Sequence, residues 1–373
     1  MTPKTEPASD NEQPDPPTPL KPAKLLKYSF LNILTGSDLS KRRLGLMEAR
    51  GLKPGPVLWL TACIHGDEVG GMVVIHEIFR RLRQRPLVRG RLLALPLMNP
   101  LGYETHSRQV AMSQEDLNRV FPGHPKGSLA ERLAHLIFNL IIESGAAAVL
   151  DLHNDWRGSI PYAVLDPPLR GEPPDLDAAV AALARATGLP MVREQLGGLD
   201  SIPVEKTLAG SLRMRGVPAL TLELGEANVV NERDVHNGVA VVWNVLRHLG
   251  MADDAPPALS LTIPEAARGR ELFYSHQPVS SSTGVIRFLA ATGTLVKAGQ
   301  KFARIFNAFG KTVETLCAPA EGLVLGRSDS SVAHPGSPVM AFGLLERPPL
   351  DSPAAPAGKE NAGARQRRSV KPE

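Results

Sequence analysis

Short apolar runs bounded by turn residues alternate with amphipathic stretches over the first two thirds of the chain. Residues 56–64, Pro-Val-Leu-Trp-Leu-Thr-Ala-Cys-Ile, follow Gly55 and predict a buried strand. Residues 69–82 repeat their apolar positions at helical spacing and end in a basic turn. Residues 90–96 and 146–152 predict two further buried strands, and residues 217–224 a fourth. Between them, residues 128–142 predict an amphipathic helix, with Ser128 and Glu131 placed as a capping box. Residues 176–187 and 234–249 predict helices that stop at Gly188 and Gly250. Strands alternating with helices predict an α/β class with a mixed, mostly parallel sheet flanked by helices.

After Pro256-Pro257 the pattern changes: Gly and Val become frequent and helical periodicity stops. Two related half-segments appear. Gly284-Val-Ile leads to Val296-Lys-Ala-Gly-Gln, and Gly322-Leu-Val leads to Val332-Ala-His-Pro-Gly. A strand, a turn and a Gly-centred hairpin used twice predict a small all-β domain of two similar halves. The expected division is an α/β domain over 25–255 and a β domain over 256–345. Polar, Pro-rich or Arg-rich tails at 1–24 and 346–373 are expected to be disordered.

Composition changes this picture little. The 373 residues are 43% hydrophobic and 21% charged, enough for a large core. Part of the net charge of +4 lies in the final stretch, at Arg365, Arg367 and Arg368. No basic run interleaved with aromatics occurs in the body of the chain, so no nucleic acid partner is expected. Cys63 and Cys317 lie far apart among apolar residues, which predicts two buried free thiols and a reducing compartment. No apolar stretch has signal-peptide or membrane-spanning character, so a cytoplasmic location away from membranes is expected. A homo-oligomer is left open.

The candidate chemistry lies where the predicted strands end. Ile64-His-Gly-Asp-Glu68 directly follows the first of them, just outside the carboxyl end, where open α/β sheets place their sites. His65 and Glu68 are three apart, so one turn can point both at a single ion. Asp151-Leu-His153 supplies a second imidazole from another strand end, with Asp151 placed to orient a ligand ring. Two imidazoles and one carboxylate leave a fourth position open, as catalytic zinc sites do. Glu223 alternates with Leu222 and Leu224, so it faces a cavity, where it can serve as a general base. A polar stretch from Arg108 to Gly123 holds Asn118 and Arg119. The forked guanidiniums of Arg108 and Arg119 suit a carboxylate. His106 and His124 lie near this stretch and are weaker candidates. Taken singly, each residue has an ordinary structural reading; four polar groups at one sheet edge point to a site.

At these residues the chain resembles the succinylglutamate desuccinylase/aspartoacylase family of the zinc carboxypeptidase clan. The motifs are His-Gly-Asp-Glu at 65–68, Asp-Leu-Asn-Arg-Val-Phe-Pro-Gly at 116–123, Asp-Leu-His at 151–153 and Glu-Leu-Gly at 223–225. The resemblance spans roughly residues 28–343. It implies one zinc per chain on His65, Glu68 and His153, with Glu223 as base and later proton donor. It implies that Arg108 polarises the scissile carbonyl and that Asn118 and Arg119 grip the substrate carboxylate. It also implies a carboxypeptidase-like sheet and a barrel-sandwich β domain that narrows the site. The expected reaction is removal of the acyl group from a small N-acyl amino acid. The runner-up is a metallocarboxypeptidase acting on peptides. A third reading makes the β domain a lipoyl- or biotinyl-type carrier with Lys311 at its hairpin. The residues beside Lys311 lack the Met-Lys-Met or Asp-Lys-Ala setting of modified lysines. Residues 193–206, with Gly197-Gly198 and several charges, read as a flap over the substrate.

Overall fold

The computed structural model describes residues 25–35, 39–195 and 203–347. The predicted tails lie outside them, apart from residues 346 and 347, and so does the middle of the segment 193–206.

In chain order the strands are β1 (Leu26–Thr35), β2 (Lys41–Arg50), β3 (Val57–Ala62), β4 (Arg91–Leu95), β5 (Ala148–Asp155), β6 (Tyr162–Leu165), β7 (Met191–Arg193) and β8 (Ala219–Glu226). The helices are α1 (Gly70–Leu82), α2 (Pro100–Glu104), α3 (Leu129–Glu143), α4 (Leu176–Thr187), α5 (Leu208–Arg213) and α6 (Glu232–His248). Strands β9 (Glu271–Ser275), β10 (Gly284–Phe288), β11 (Leu295–Val296), β12 (Lys301–Phe306), β13 (Thr312–Cys317), β14 (Gly322–Arg327), β15 (Val332–Ala333) and β16 (Met340–Leu344) complete the described chain.

One sheet of 12 strands runs β1-β2-β4-β3-β5-β8-β6-β7-β9-β16-β14-β11. Its centre, β4-β3-β5-β8, is parallel, with antiparallel pairs at β1-β2, β2-β4 and β6-β8. The expected mixed, mostly parallel sheet thus holds for the buried centre, where four apolar strands are covered on both faces. Alternation assigns those faces. Leu58, Leu60, Leu150, Leu152, Leu220 and Leu222 pack with α1, α4 and α6. Trp59, Val149 and Ala219 point the other way, into a core with α3 and α5.

The ends of the helices follow from local chemistry. Glu131 N–H donates to Ser128 Oγ (3.2 Å), and Ser128 N–H donates to a Glu131 carboxylate oxygen (2.8 Å), forming the expected capping box of α3. Ser128→Ala is expected to cost about 1 kcal/mol of unfolding free energy; a denaturant midpoint unchanged from wild type would contradict this. Helix α4 ends at Gly188, whose φ of 77° suits glycine.

Beyond β9 the two half-segments pair with each other. β10 pairs antiparallel with β15, and β11 with β14, so each half lends its short strand to the other. The second sheet, β13-β12-β10-β15, packs over β14 and β16 around Ile286, Phe302, Leu316, Val324 and Phe342. The large sheet reaches this region without a break, through β7-β9 and β9-β16. Lys311 sits in the exposed β12–β13 hairpin. Both cysteines are free; Cys63 is buried as expected, but Cys317 is only half-buried.

Candidate active site

The face of the sheet toward α3 and α5 changes character along its strands. Near the carboxyl ends of β3, β5 and β8, apolar residues give way to polar ones in register: Thr61 beside Asp151, Asp151 beside Thr221, and His153 beside Glu223. The turn between β3 and α1 brings His65 and Glu68 over this edge. It passes so close to α2 that a Cβ on Gly66 would lie 2.0 Å from the Gly102 backbone. A Cβ on Gly71 would lie 2.8 Å from the Leu152 side chain, so glycine lets α1 start against β5.

His65, Glu68 and His153 are all buried, and one ligand atom from each lies within 4.8 Å of the others. His65 Nδ1 is 2.6 Å from one Glu68 carboxylate oxygen, and His153 Nδ1 is 2.8 Å from the other. The far nitrogens are held by acids. His65 Nε2 is 3.1 Å from Asp116 Oδ1, and His153 Nε2 is 3.0 Å from Asp151 Oδ2. Thr61 donates a 2.7 Å hydrogen bond to the other oxygen of Asp151. Each ring has Nε2 against a carboxylate and Nδ1 facing Glu68, so two imidazole nitrogens and one carboxylate converge on one buried space, a donor set that fits a divalent cation. Burial acts to raise the Glu68 carboxyl, but the two imidazoles outweigh it and hold it well below the usual range.

Asp151 therefore stands where the sequence reading put it. Asp116 lies inside the 116–123 motif, but sequence reasoning gave it no role; spacing in the chain does not reveal that a loop 51 residues away returns to His65. Burial would raise the Asp116 carboxyl, but its contacts with His65 and Arg108 hold it low.

The remaining expected residues line the same cavity, of about 470 Å³. Half-exposed Arg108 donates to Asp116 (3.0 Å) and reaches Glu68 (3.4 Å). Asn118 accepts the Leu208 N–H (2.8 Å), which ties the loop to the start of α5. Arg119 donates to the Asn118 carbonyl (2.8 Å). Glu223 faces inward, and its Oε2 is buried with no hydrogen-bond partner among the described residues. Burial, reinforced by the charge of Asp155, raises its carboxyl well above the usual value. Asp155 accepts a 2.7 Å hydrogen bond from Tyr162. His106 and His124 are not among the cavity residues. From the β region, Asp329 reaches the cavity wall and accepts the Arg157 N–H (2.7 Å).

Two further acids, Asp166 and Glu194, line the cavity; the sequence singles out neither, since the short strands β6 and β7 before them show no period, and Glu194 enters only as one of the charges of the 193–206 segment. Burial, with Asp166 nearby, pushes Glu194 up to about 7. The same carboxyl in the unfolded chain ionises near 4.5. Below the unfolded value the two states hold the proton alike; as pH rises toward 7, folding increasingly opposes ionisation and stability is lost. Glu194→Gln is accordingly expected to stabilise the ligand-free protein at pH 8 by about 2 kcal/mol, with no gain near pH 4.5. Equal melting temperatures for the two proteins at pH 8 would contradict this.

Residues 54–249, more than half of the chain, match the family model of the succinylglutamate desuccinylase/aspartoacylase catalytic domain. The chain belongs to the succinylglutamate desuccinylase/aspartoacylase family. One relative in sequence is the N-alpha-acetyl-L-2,4-diaminobutyric acid deacetylase of Halomonas elongata, 28% identical over 298 residues, 76% of this chain and 80% of the relative. Solved structures share the fold. The succinylglutamate desuccinylase/aspartoacylase from Rhodobacter sphaeroides has a TM-score of 0.71 at 23% identity, covering 85% of this chain and 95% of that one. The product-bound ectoine utilization protein EutE (DoeB) from Ruegeria pomeroyi has a TM-score of 0.71 at 23% identity, covering 86% and 95%. The family is one of deacylases, so the resemblance read from the four motifs identified the correct family and fold. No helix among the described residues is long and apolar enough to cross a membrane.

Proposed function

We propose that this protein is a zinc-dependent hydrolase that removes the acyl group from a small N-acyl amino acid. The observation that carries the reading is the pairing of a His65–Glu68–His153 donor set with an acid beside His153 in the sheet, Glu223, whose buried Oε2 has no hydrogen-bond partner among the described residues. The ion, when bound, supplies Lewis-acid activation of water and of the acyl carbonyl. Glu223 takes a proton from the attacking water and later delivers it to the leaving nitrogen. Its raised proton affinity suits both tasks. Arg108 places a guanidinium beside Glu68 and offers N–H donors to the carbonyl oxygen as charge develops there. Arg119, on the loop anchored through Asn118, takes the substrate carboxylate.

The product is a free amino acid and a short carboxylic acid, as the name of the Halomonas elongata relative also indicates for that enzyme. A cavity of about 470 Å³, walled on one side by Asp329 of the β region, suits a small substrate better than a peptide. Two free cysteines fit a reducing cytoplasmic location. The test is amine release from a panel of N-acetyl and N-succinyl amino acids, alongside release from dipeptides. Release from some N-acyl amino acids, abolished by a chelator and restored by zinc, is the expected result. Release from dipeptides alone would move the assignment to a carboxypeptidase.

A further inference from the structure

The second sheet, β13-β12-β10-β15, has one face in a core and one in solvent. Its inner residues, among them Ile286, Phe302 and Leu316, pack over β14 and β16. The register sets the outer face. Val285 on β10 stands beside Val332 on β15 and Phe306 on β12. Two residues along, Arg287 stands beside Arg304, and Arg304 beside Thr315 on β13. Side chains alternate in direction along a strand, so Val285, Arg287 and their cross-strand neighbours share one face. Val285, Arg287, Arg304 and Val332 are all exposed. The face points away from the large sheet, whose strand ends line the cavity.

Two features of this face go beyond what packing needs. The first is its charge. Arg287 and Arg304 place like charges directly opposite, an unfavourable pair in a sheet. Neither side chain makes a hydrogen bond or an ion pair among the described residues; Arg287 lies over the Phe306 ring, 5.8 Å from its centroid. Lys301 and the hairpin Lys311 are exposed as well. The one acid of these four strands, Glu314, is buried and held by Ser280 and Ser281. The second feature is apolar. Phe309, at the tip of the β12–β13 hairpin, is 96% exposed, and Val285 and Val332 are each about half exposed. A nucleic acid complements the cations but not the valines. A folded acidic partner complements the cations but must bring a pocket shaped for Phe309. An anionic lipid surface complements both: its head groups meet the cations, and its acyl boundary takes apolar side chains without a matching pocket.

We propose that the outer face of the second sheet, with its Phe309 hairpin, docks on an anionic lipid surface. Arg287, Arg304, Lys301 and Lys311 attract the head groups, and Phe309 enters the head-group layer. Such attachment is peripheral and reversible. The expectation of a location away from membranes rests on the lack of a spanning segment, which this attachment does not need. The docking also stands apart from the reaction, since none of these residues lines the cavity.

Cosedimentation of the full chain with lipid vesicles measures this. Vesicles of phosphatidylcholine with about a third phosphatidylserine are expected to bind the protein about tenfold or more tightly than pure phosphatidylcholine at 0.1 M salt. The difference is expected to vanish at 0.5 M salt, where the attraction is screened. Arg287→Gln together with Arg304→Gln is expected to weaken binding about tenfold or more, and Phe309→Ser about fivefold or more. Thermal unfolding like that of wild type shows that both variants fold. Equal binding to the two compositions, or no binding to either, would overturn the proposal. So would binding to a duplex DNA oligonucleotide or to poly-L-glutamate in place of vesicles. Vesicle binding that survives both variants, and is lost when Arg365, Arg367 and Arg368 are replaced by Gln, would move the contact to the C-terminal stretch and overturn the role of the sheet.

Discussion

Replacing Glu223 by Gln is expected to lower kcat by about a thousandfold, within the span of 10² to 10⁴ that proton transfer by a positioned side chain contributes. Gln has the same shape and reaches the same place, but it cannot accept the proton of the attacking water. Glu223 suits that task because its surroundings leave it a free lone pair. Its Oε2 has no partner among the described residues, and burial together with Asp155 makes its carboxylate more basic than an exposed one. Its place beside His153 in the β5–β8 register sets it next to the donor triad. The variant is expected to retain metal, since Glu223 is not one of the three donors, and to change KM by less than about threefold. Full activity in Glu223→Gln would remove Glu223 from the chemistry.

Replacing Arg213 by Met is expected to cost about 3–5 kcal/mol of stability, the largest loss foreseen for a residue outside the donor triad. Arg213 is fully buried on α5, and its guanidinium holds the Glu172 carboxylate on two nitrogens. It also sits 3.7 Å from both Asp166 and Asp177. Methionine fills much of the same volume, so the loss comes from Glu172 left ionised and unpaired rather than from a void. The double change Arg213→Met with Glu172→Gln is then expected to recover more than half of the loss. Denaturant unfolding of the three proteins measures this directly. A single variant within 0.5 kcal/mol of wild type, or a double variant no better than the single, would show that the cluster is not held by this pair.

The sequence exposes the parts of the molecule that repeat a strong period. The strands at β3, β4, β5 and β8 are near-continuous apolar runs because both faces are covered, and α3, α4 and α6 carry clear apolar stripes with capping residues. Strands β1 and β2 lie at the sheet edge, mix charged and apolar residues without clean alternation, and leave Tyr28 and Phe30 exposed, so no run stands out. Strands β6 and β7, at four and three residues, are too short to show a period. The site divides in the same way. His65, Glu68, His153 and Glu223 are legible because each follows or ends an apolar run, where a polar residue stands out. Asp116 acts on His65 from a loop, and Asp166 and Glu194 follow strands the pattern does not show. Their roles depend on which strands become neighbours, β6 beside β8 and β7 beside β6, and no local pattern encodes that.

The account turns on a metal held by His65, Glu68 and His153, and elemental analysis of the purified protein beside its His153→Ala variant tests it most directly. The account predicts about one zinc per wild-type chain, well under a tenth of that in the variant, and loss of amine release in step with loss of zinc. A wild-type protein that takes up no metal when zinc is supplied, or a variant that keeps both its zinc and its activity, would contradict it.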